Sequence, residues 1–215
     1  IKDGKEEIIG FDIDIAQAIA DELGVELEVK DMDFDGLIPA LTTGKIDIII
    51  AGMNATEERK QSVDFTDVYY TQTDIVVIRK EDADKFTSED SLKTAKLATQ
   101  KATVQETYLL EAFPDAEIQS VPKWNTAIMS LTTGKVDAVM MVDTVAKQFI
   151  AQNDDLMVAN FDINSTPNAA AIAVAKNGGE FLETVNNIVN EMKESGKIEE
   201  LYQLNDQIVT DNTAE

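Results

Sequence analysis

Arg59 and Arg79 are the only arginines among the 18 basic residues of the sequence. Arg59 falls one turn into a helix expected after a buried strand at 46–51, near the strand's carboxyl end. A guanidinium there grips a carboxylate through two parallel hydrogen bonds, which a lysine does less well. The amides around Ala51, Gly52, Met53 and Asn54, with the helix N-terminus behind them, would add affinity for an anion. The competing reading is a surface ion pair with Glu57 or Asp64. Thr103 and Val104 open another expected helix, after a strand near Leu97. Their free amides can hold an anion, or Thr103 can simply cap the helix. Asp143 lies just past an apolar strand, where its carboxylate either takes an ammonium group or caps the helix that follows.

Other chemistries fit poorly. Asp31, Asp33, Asp35 and Gly36 begin like a calcium loop, but Thr42 stands where the bidentate Glu is needed and Pro39 where position nine should be. An acidic turn is the better reading. Neither G-x-G-x-x-G nor G-x-x-x-x-G-K-[ST] occurs, since the lysines after Gly44 and Gly134 are followed by Ile46 and Val136. The sequence has no Cys and no His. That removes thiol nucleophiles, disulfides, Cys- or His-based zinc sites and an imidazole base. No cofactor is expected.

The elements that must position these residues follow from periodicity. Ile13, Ala16, Ile19, Ala20 and Leu23 recur at helical spacing within 9–23, and Gly24 is a helix stop. Val25–Val29 alternates like a strand. A short helix over 36–42 ends at Gly44, a buried strand runs 46–51, and Asn54 or Thr56 caps a helix to Ser62. A strand spans 73–78. The second half repeats the device: strand 96–99, helix 104–112, helix 126–132, strand 136–141, helix 142–151 and strand 169–175. Helices over 181–195 and 198–204 follow, with a tail at 211–215 expected to lack structure. Alternating helix and strand predicts a mostly parallel sheet with helices on both faces.

Of 215 residues, 44% are hydrophobic, enough for one large domain or two small ones, each with a core. No apolar run approaches the length of a membrane-spanning helix. Asp and Glu number 41 and the net charge is −23, a field that repels a phosphate backbone and argues against nucleic acid. Most of that charge is solvated, so it does not report on a small ligand.

An internal echo organises the chain. Residues 41–49 read LTTGKIDII and residues 131–139 read LTTGKVDAV, an offset of 90 that also carries Phe34 onto Trp124. Two similar α/β lobes explain it, each with an aromatic-led helix feeding a buried strand. Ligands of open α/β sheets gather at the carboxyl ends of strands.

The runs GFDIDIAQAIADELG, DFDGLIPALTTGKIDIIIAGMNATEERKQSVDFTDVYY, ATQKATVQETYL and VDAVMMVD resemble the extracytoplasmic solute-binding proteins of polar amino-acid ABC importers. The likeness covers residues 8 to 204 or so. It implies a two-lobed, type II periplasmic-binding-protein-like α/β fold, with a two-strand hinge and a ligand cleft between lobes. Lobe one would be 1–70 plus 168–215 and lobe two 74–164, with crossings near 70–74 and 164–168. It implies a non-catalytic, monomeric receptor outside the cytoplasm, in the periplasm or as a cell-surface lipoprotein. Its partners would be an amino-acid ligand and a membrane permease. A sensor domain of a receptor, or a cyclohexadienyl dehydratase-like enzyme on the same scaffold, are the alternatives.

By the same resemblance, Arg59 matches the arginine that holds the ligand α-carboxylate, assisted by Thr103 and Val104. Asp143 matches the acid for the α-ammonium, and Gly52, beside Ala51, offers it a carbonyl. Asn54 stands where a ligand-bonding Ser or Thr is usual. Phe34 matches an aromatic packed on the ligand side chain, and Gln100 a specificity position. Val104 and Ala102 depart from the usual Thr or Gly and the usual Gly. The family begins with a further strand ahead of the segment matching 1–10, so that strand is expected upstream of a trimmed chain, missing from a fragment, or supplied by a partner. Phe34 and Gln100 favour glutamine, with glutamate or cystine next. Arginine and histidine rank lower, because no acid besides Asp143 is evident.

Overall fold

A computed structural model describes residues 8–212. In chain order the helices and strands are α1 (Phe11–Leu23), α2 (Leu37–Thr42), β1 (Ile48–Ile49), β2 (Val63–Gln72), β3 (Asp74–Arg79), β4 (Lys96–Gln100), α3 (Val104–Ala112) and β5 (Glu117–Val121). There follow α4 (Trp124–Thr132), β6 (Ala138–Val142), α5 (Asp143–Ala151), β7 (Leu156–Val158), β8 (Asn168–Ala175), α6 (Gly179–Glu194) and α7 (Lys197–Asn212). The chain divides into two compact units. One holds the described residues up to Met32, Gly36–Thr71 and those from Ala169 onward. The other holds Asp33–Asp35 and Gln72–Asn168.

In the first unit the sheet order is β1-β8-β2, with Ile48 opposite Val174 and Ile49 opposite Ala173 in an antiparallel pair. Ile15 and Ile19 of α1 lie one turn apart and bury against Ile172 of β8, Val185 and Val189 of α6, and Leu201 of α7. Full burial of each such side chain stabilises by about 1.5–3 kcal/mol. Gly24 ends α1 in the left-handed region, φ +66°, and its amide reaches the Asp21 carbonyl. Three expectations need correction here. Val25–Val29 is not a strand: no ladder forms along it among the described residues, and both valines are exposed. Alternation supplies a face, but only a neighbouring strand supplies the hydrogen bonds. The strand at 46–51 contracts to Ile48–Ile49, and the helix ending at Ser62 to a single 3-10 turn, Arg59–Gln61. Beyond it, β2 is a ten-residue strand in a segment that no periodicity had marked.

In the second unit the order is β5-β4-β6-β3-β7. The pairs around β4 are parallel and those around β3 antiparallel, so the sheet is mixed rather than mostly parallel. Successive side chains go to opposite faces. Val76, Ile78, Leu97 and Met140 pack with Leu109 of α3, whereas Val77, Ala98, Val139 and Met141 pack with Leu131 of α4 and Ala146 of α5. At the C-terminus, Asp211 and Asn212 belong to α7, and 213–215 of the expected tail lie outside the described residues.

The echo is a repeated joint. Gly44 and Gly134 have φ of +69° and +71°. The Gly44 and Lys45 amides reach the carbonyls of Leu41 and Ala40, and those of Gly134 and Lys135 reach Leu131 and Ser130. The Thr43 and Thr133 hydroxyls both close back onto the carbonyl four residues earlier, at 2.8 and 2.7 Å. An added Cβ at either glycine meets nothing within 4 Å. Gly44→Ala and Gly134→Ala should therefore each cost only the left-handed penalty, about 1 kcal/mol. Urea unfolding checks this, and a much larger loss at one site would contradict the equivalence.

Candidate functional site

In the first unit the loop after β1 runs along β8. The Met53 carbonyl accepts from the Ala171 amide at 2.9 Å and Asn54 bridges to Ala170. Met53 points into the core at 1% exposure, while Ala51, Gly52 and Asn54 are half-buried. Gly52 adopts φ +60°, which favours glycine. Its amide donates to Tyr69 Oη at 3.1 Å, and Tyr69 Oη donates to Asp12 Oδ1 at 2.9 Å. Burial pushes the Asp12 carboxyl up to about 6, against the lowering by Tyr69 and Gly52. Burial, then the Asp12 charge, push the Tyr69 hydroxyl well up.

Arg59 opens its 3-10 turn, and Nη1 donates to the Asn54 carbonyl at 2.8 Å. Its amide donates to Thr56 Oγ1 at 3.3 Å, so Thr56, not Asn54, acts as the cap. Burial pulls the guanidinium below its ordinary value, with Glu58 acting the other way. The carboxylates of the surface-pair reading are engaged elsewhere: Glu57 with Lys60 at 2.8 Å and Asp64 with Lys176 at 2.6 Å. A partly desolvated guanidinium steered by a backbone carbonyl beside a left-handed glycine suits a small carboxylate.

In the second unit, the neighbouring parallel strands β4 and β6 both feed helices at their carboxyl ends. Gln100 ends β4, and its Nε2 donates to the Pro122 carbonyl at 2.9 Å. Thr103 is the N-cap of α3: Oγ1 accepts from the Glu106 amide at 3.3 Å and donates to the Gln100 carbonyl at 2.6 Å. Glu106 Oε2 accepts from the Ala102 amide at 2.6 Å, a reciprocal contact one residue ahead of the cap, with Ala102 at φ +61°. The cap role of Thr103 is thus real, and Val104 stands at the first helical position, where an amide has no partner within its own helix. Asp143 opens α5. Its Oδ1 accepts from the amides of Thr144 at 2.8 Å and Thr73 at 3.3 Å, and its own amide reaches the Thr73 carbonyl at 2.9 Å. Among the described residues Oδ2 has no hydrogen-bond donor, so half of the carboxylate remains for a cation. Phe34 begins the 3-10 turn Phe34–Gly36, is half-buried, and groups with this unit.

The two arginines have different work. Arg79 Nη1 donates to the carbonyls of Leu131 and Val136 at 2.7 and 2.8 Å, stapling the second echo joint. The Asp12–Tyr69–Gly52 chain escaped sequence reading, because its partners lie 57 and 17 residues apart. No cluster of acidic residues that could hold a metal ion occurs among the described residues.

Residues 1–204 match the family model described as bacterial extracellular solute-binding proteins, family 3. An arginine-binding extracellular protein of Bacillus subtilis, ArtP, is 33% identical over 199 residues, 91% of this chain and 77% of that protein. The crystal structure of AbpA from Streptococcus pneumoniae, an amino-acid ABC transporter substrate-binding protein bound to L-arginine, superposes with a TM-score of 0.92. It is 34% identical, over 100% of this chain and 89% of that one. An ancestral arginine-binding protein bound to glutamine gives a TM-score of 0.87 at 37% identity, covering 95% and 91% of the two chains.

Proposed function

The chain belongs to the bacterial extracellular solute-binding proteins, family 3, and is the binding component of an amino-acid ABC transporter; we propose that it captures a polar L-amino acid by clamping both ends of the zwitterion. On this reading Arg59, with the amides of Thr103 and Val104, takes the α-carboxylate. Asp143 Oδ2 and the Gly52 carbonyl take the α-ammonium, and Asn54 adds a hydrogen bond. Phe34 packs on the ligand side chain and Gln100 reads it. Pairing both charges offsets their desolvation. The observation that carries this reading is the Arg59 guanidinium, partly desolvated and tied to the Asn54 carbonyl. The chain is a monomer that hands its ligand to a membrane permease outside the cytoplasm, and it is not a catalyst.

For the side chain, arginine stands beside glutamine. The sequence ranked cationic ligands lower, yet ArtP is named for arginine, and an ancestral arginine-binding protein holds glutamine. We therefore take L-arginine and L-glutamine as the first candidates. A thermal-shift screen of the twenty amino acids tests this. A ligand that binds only the folded state stabilises by about 2.7 kcal/mol at a hundred times its Kd. One or two polar amino acids should raise Tm by several degrees; no shift from any of them defeats the reading.

A further inference from the structure

Asp12 is a half-buried residue whose carboxylate the proposed clamp does not use, yet it reaches the clamp through two hydrogen bonds. It sits in the first turn of α1, Tyr69 comes from β2, and Gly52 from the loop after β1. Three separate elements of one unit thus converge on a single peptide. The Tyr69 ring is 4% exposed and has Phe11 beside it at 6.2 Å, so its hydroxyl cannot swing away. Gly52 is held at φ +60° with its amide turned inward to that hydroxyl. That inward amide fixes the Ala51–Gly52 peptide plane, and the Gly52 carbonyl offered to the ligand ammonium follows in the next plane, joined to it through the Gly52 φ and ψ.

We propose that Asp12 and Tyr69 are positioning residues that fix the Gly52 peptide and couple ligand capture to the ionisation of Asp12. The inference rests on the zwitterion reading of the site. A ligand ammonium at Gly52 stabilises a nearby carboxylate, so binding favours ionised Asp12. By linkage, ionising Asp12 must then strengthen binding. Affinity rises with pH through the Asp12 titration, near 6, and levels off above it. The surroundings keep this assignment clean. Asp14, on the same helix, turns to Asn205 of α7 at 2.6 Å. Tyr70 of β2 and Tyr202 of α7 stack on each other at 4.8 Å. Tyr69 is the titratable side chain that bonds Asp12, and Arg59, farther along the loop, stays charged throughout. With no His and no Cys in the sequence, few groups titrate between pH 5 and 7.5.

Stability without ligand gives an independent readout. The folded-state value of Asp12 is raised, so its stabilising contribution is complete below about 4 and is lost as pH rises through about 6. Asp12→Asn keeps an acceptor for Tyr69 and removes the titration. Relative to wild type it should raise Tm by about 2–4 °C at pH 7.5 and change it little at pH 4.

The experiment is calorimetric titration of the intact chain with L-arginine and with L-glutamine at pH 5 and 7.5, for wild type, Asp12→Asn and Tyr69→Phe. Wild type should bind about three- to tenfold more tightly at pH 7.5, on a charge-coupling scale. Asp12→Asn should show no such gain. Tyr69→Phe should weaken binding and lose most of the pH dependence, with melting curves confirming that it is folded. An equal pH gain in wild type and both variants overturns the relay while leaving the zwitterion reading intact. Absence of binding of either amino acid at both pH values defeats that reading, and the inference with it.

Discussion

Arg59→Ala is expected to weaken amino-acid binding by on the order of 3 kcal/mol or more, a factor above one hundred, while leaving the fold in place. The guanidinium supplies the only strong partner proposed for the ligand carboxylate from the first unit. Its removal leaves an anion to be desolvated against backbone amides alone. Arg59→Lys should recover little, because an ammonium lacks the planar fork and cannot hold the Asn54 carbonyl and a carboxylate in the same geometry. Asp143→Ala should cost a similar amount by orphaning the ligand ammonium. It also removes the acceptor for the Thr73 and Thr144 amides, so it should lower Tm by a few degrees where Arg59→Ala does not. Lys45→Ala and Lys135→Ala, in the echo, serve as controls with unchanged affinity. Calorimetry with L-arginine and L-glutamine reads all of these. Retained affinity in both Arg59→Ala and Asp143→Ala would sink the clamp.

The parts of this molecule that could be read from sequence are those whose causes are local. Gly24 and Gly44, both read as helix stops, each sit at a positive φ just past a helix, as does Gly134 in the echo. The echoed LTTGK joint predicted two equivalent helix-to-strand turns, and the hydrogen bonds repeat almost atom for atom. Thr103 was open between cap and anion holder, and the structure shows the cap plainly. Arg59 is legible as a residue just past the Ala51–Asn54 loop, although the helix expected around it is one 3-10 turn.

The failures have non-local causes. Val25–Val29 carries strand alternation but has no neighbour among the described residues to complete a ladder. The ten-residue β2 reads VDFTDVYYTQ, whose polar positions conceal it; its buried Thr66 earns its place by accepting from the Ile172 amide at 3.1 Å, more than a hundred residues away. Parallel against antiparallel pairing depends on which strands meet, and neither composition nor period records that. By sequence alone Asp12 is one more acid in the first turn of a helix. Only the arrival of Tyr69 from another element gives it a role.

The largest stability effect is expected at Asp74, where no ligand is involved. Its side chain is 4% exposed, and no cation pairs with it among the described residues. Oδ1 accepts from Gln105 Nε2 at 2.7 Å and Asn168 Nδ2 at 2.6 Å, and Oδ2 accepts from Ser165 Oγ at 2.8 Å. Asn168 is 0% exposed and Gln105 4%, so water cannot replace a lost acceptor at little cost. Asp74 begins β3 just after the chain passes from one unit to the other, and Asn168 opens β8 just before it passes back. Gln105 lies at the second helical position of α3, directly behind Thr103 and Val104. One carboxylate therefore ties both chain crossings to the helix end proposed to meet the ligand. Asp74→Ala should cost about 3–5 kcal/mol in urea unfolding, because two buried donors and one half-buried donor lose their acceptor together. Asp74→Asn keeps one acceptor oxygen but turns an amide toward a donor, so it should cost roughly 1–3 kcal/mol. Gln105→Leu or Ser165→Ala, which each remove one donor and leave the acceptor partly served, should cost less than Asp74→Ala. If Asp74→Ala loses under about 1 kcal/mol, the carboxylate is not the centre of the cluster. In that case the amides of Gln105 and Asn168, 3.3 Å apart, must hold one another without it.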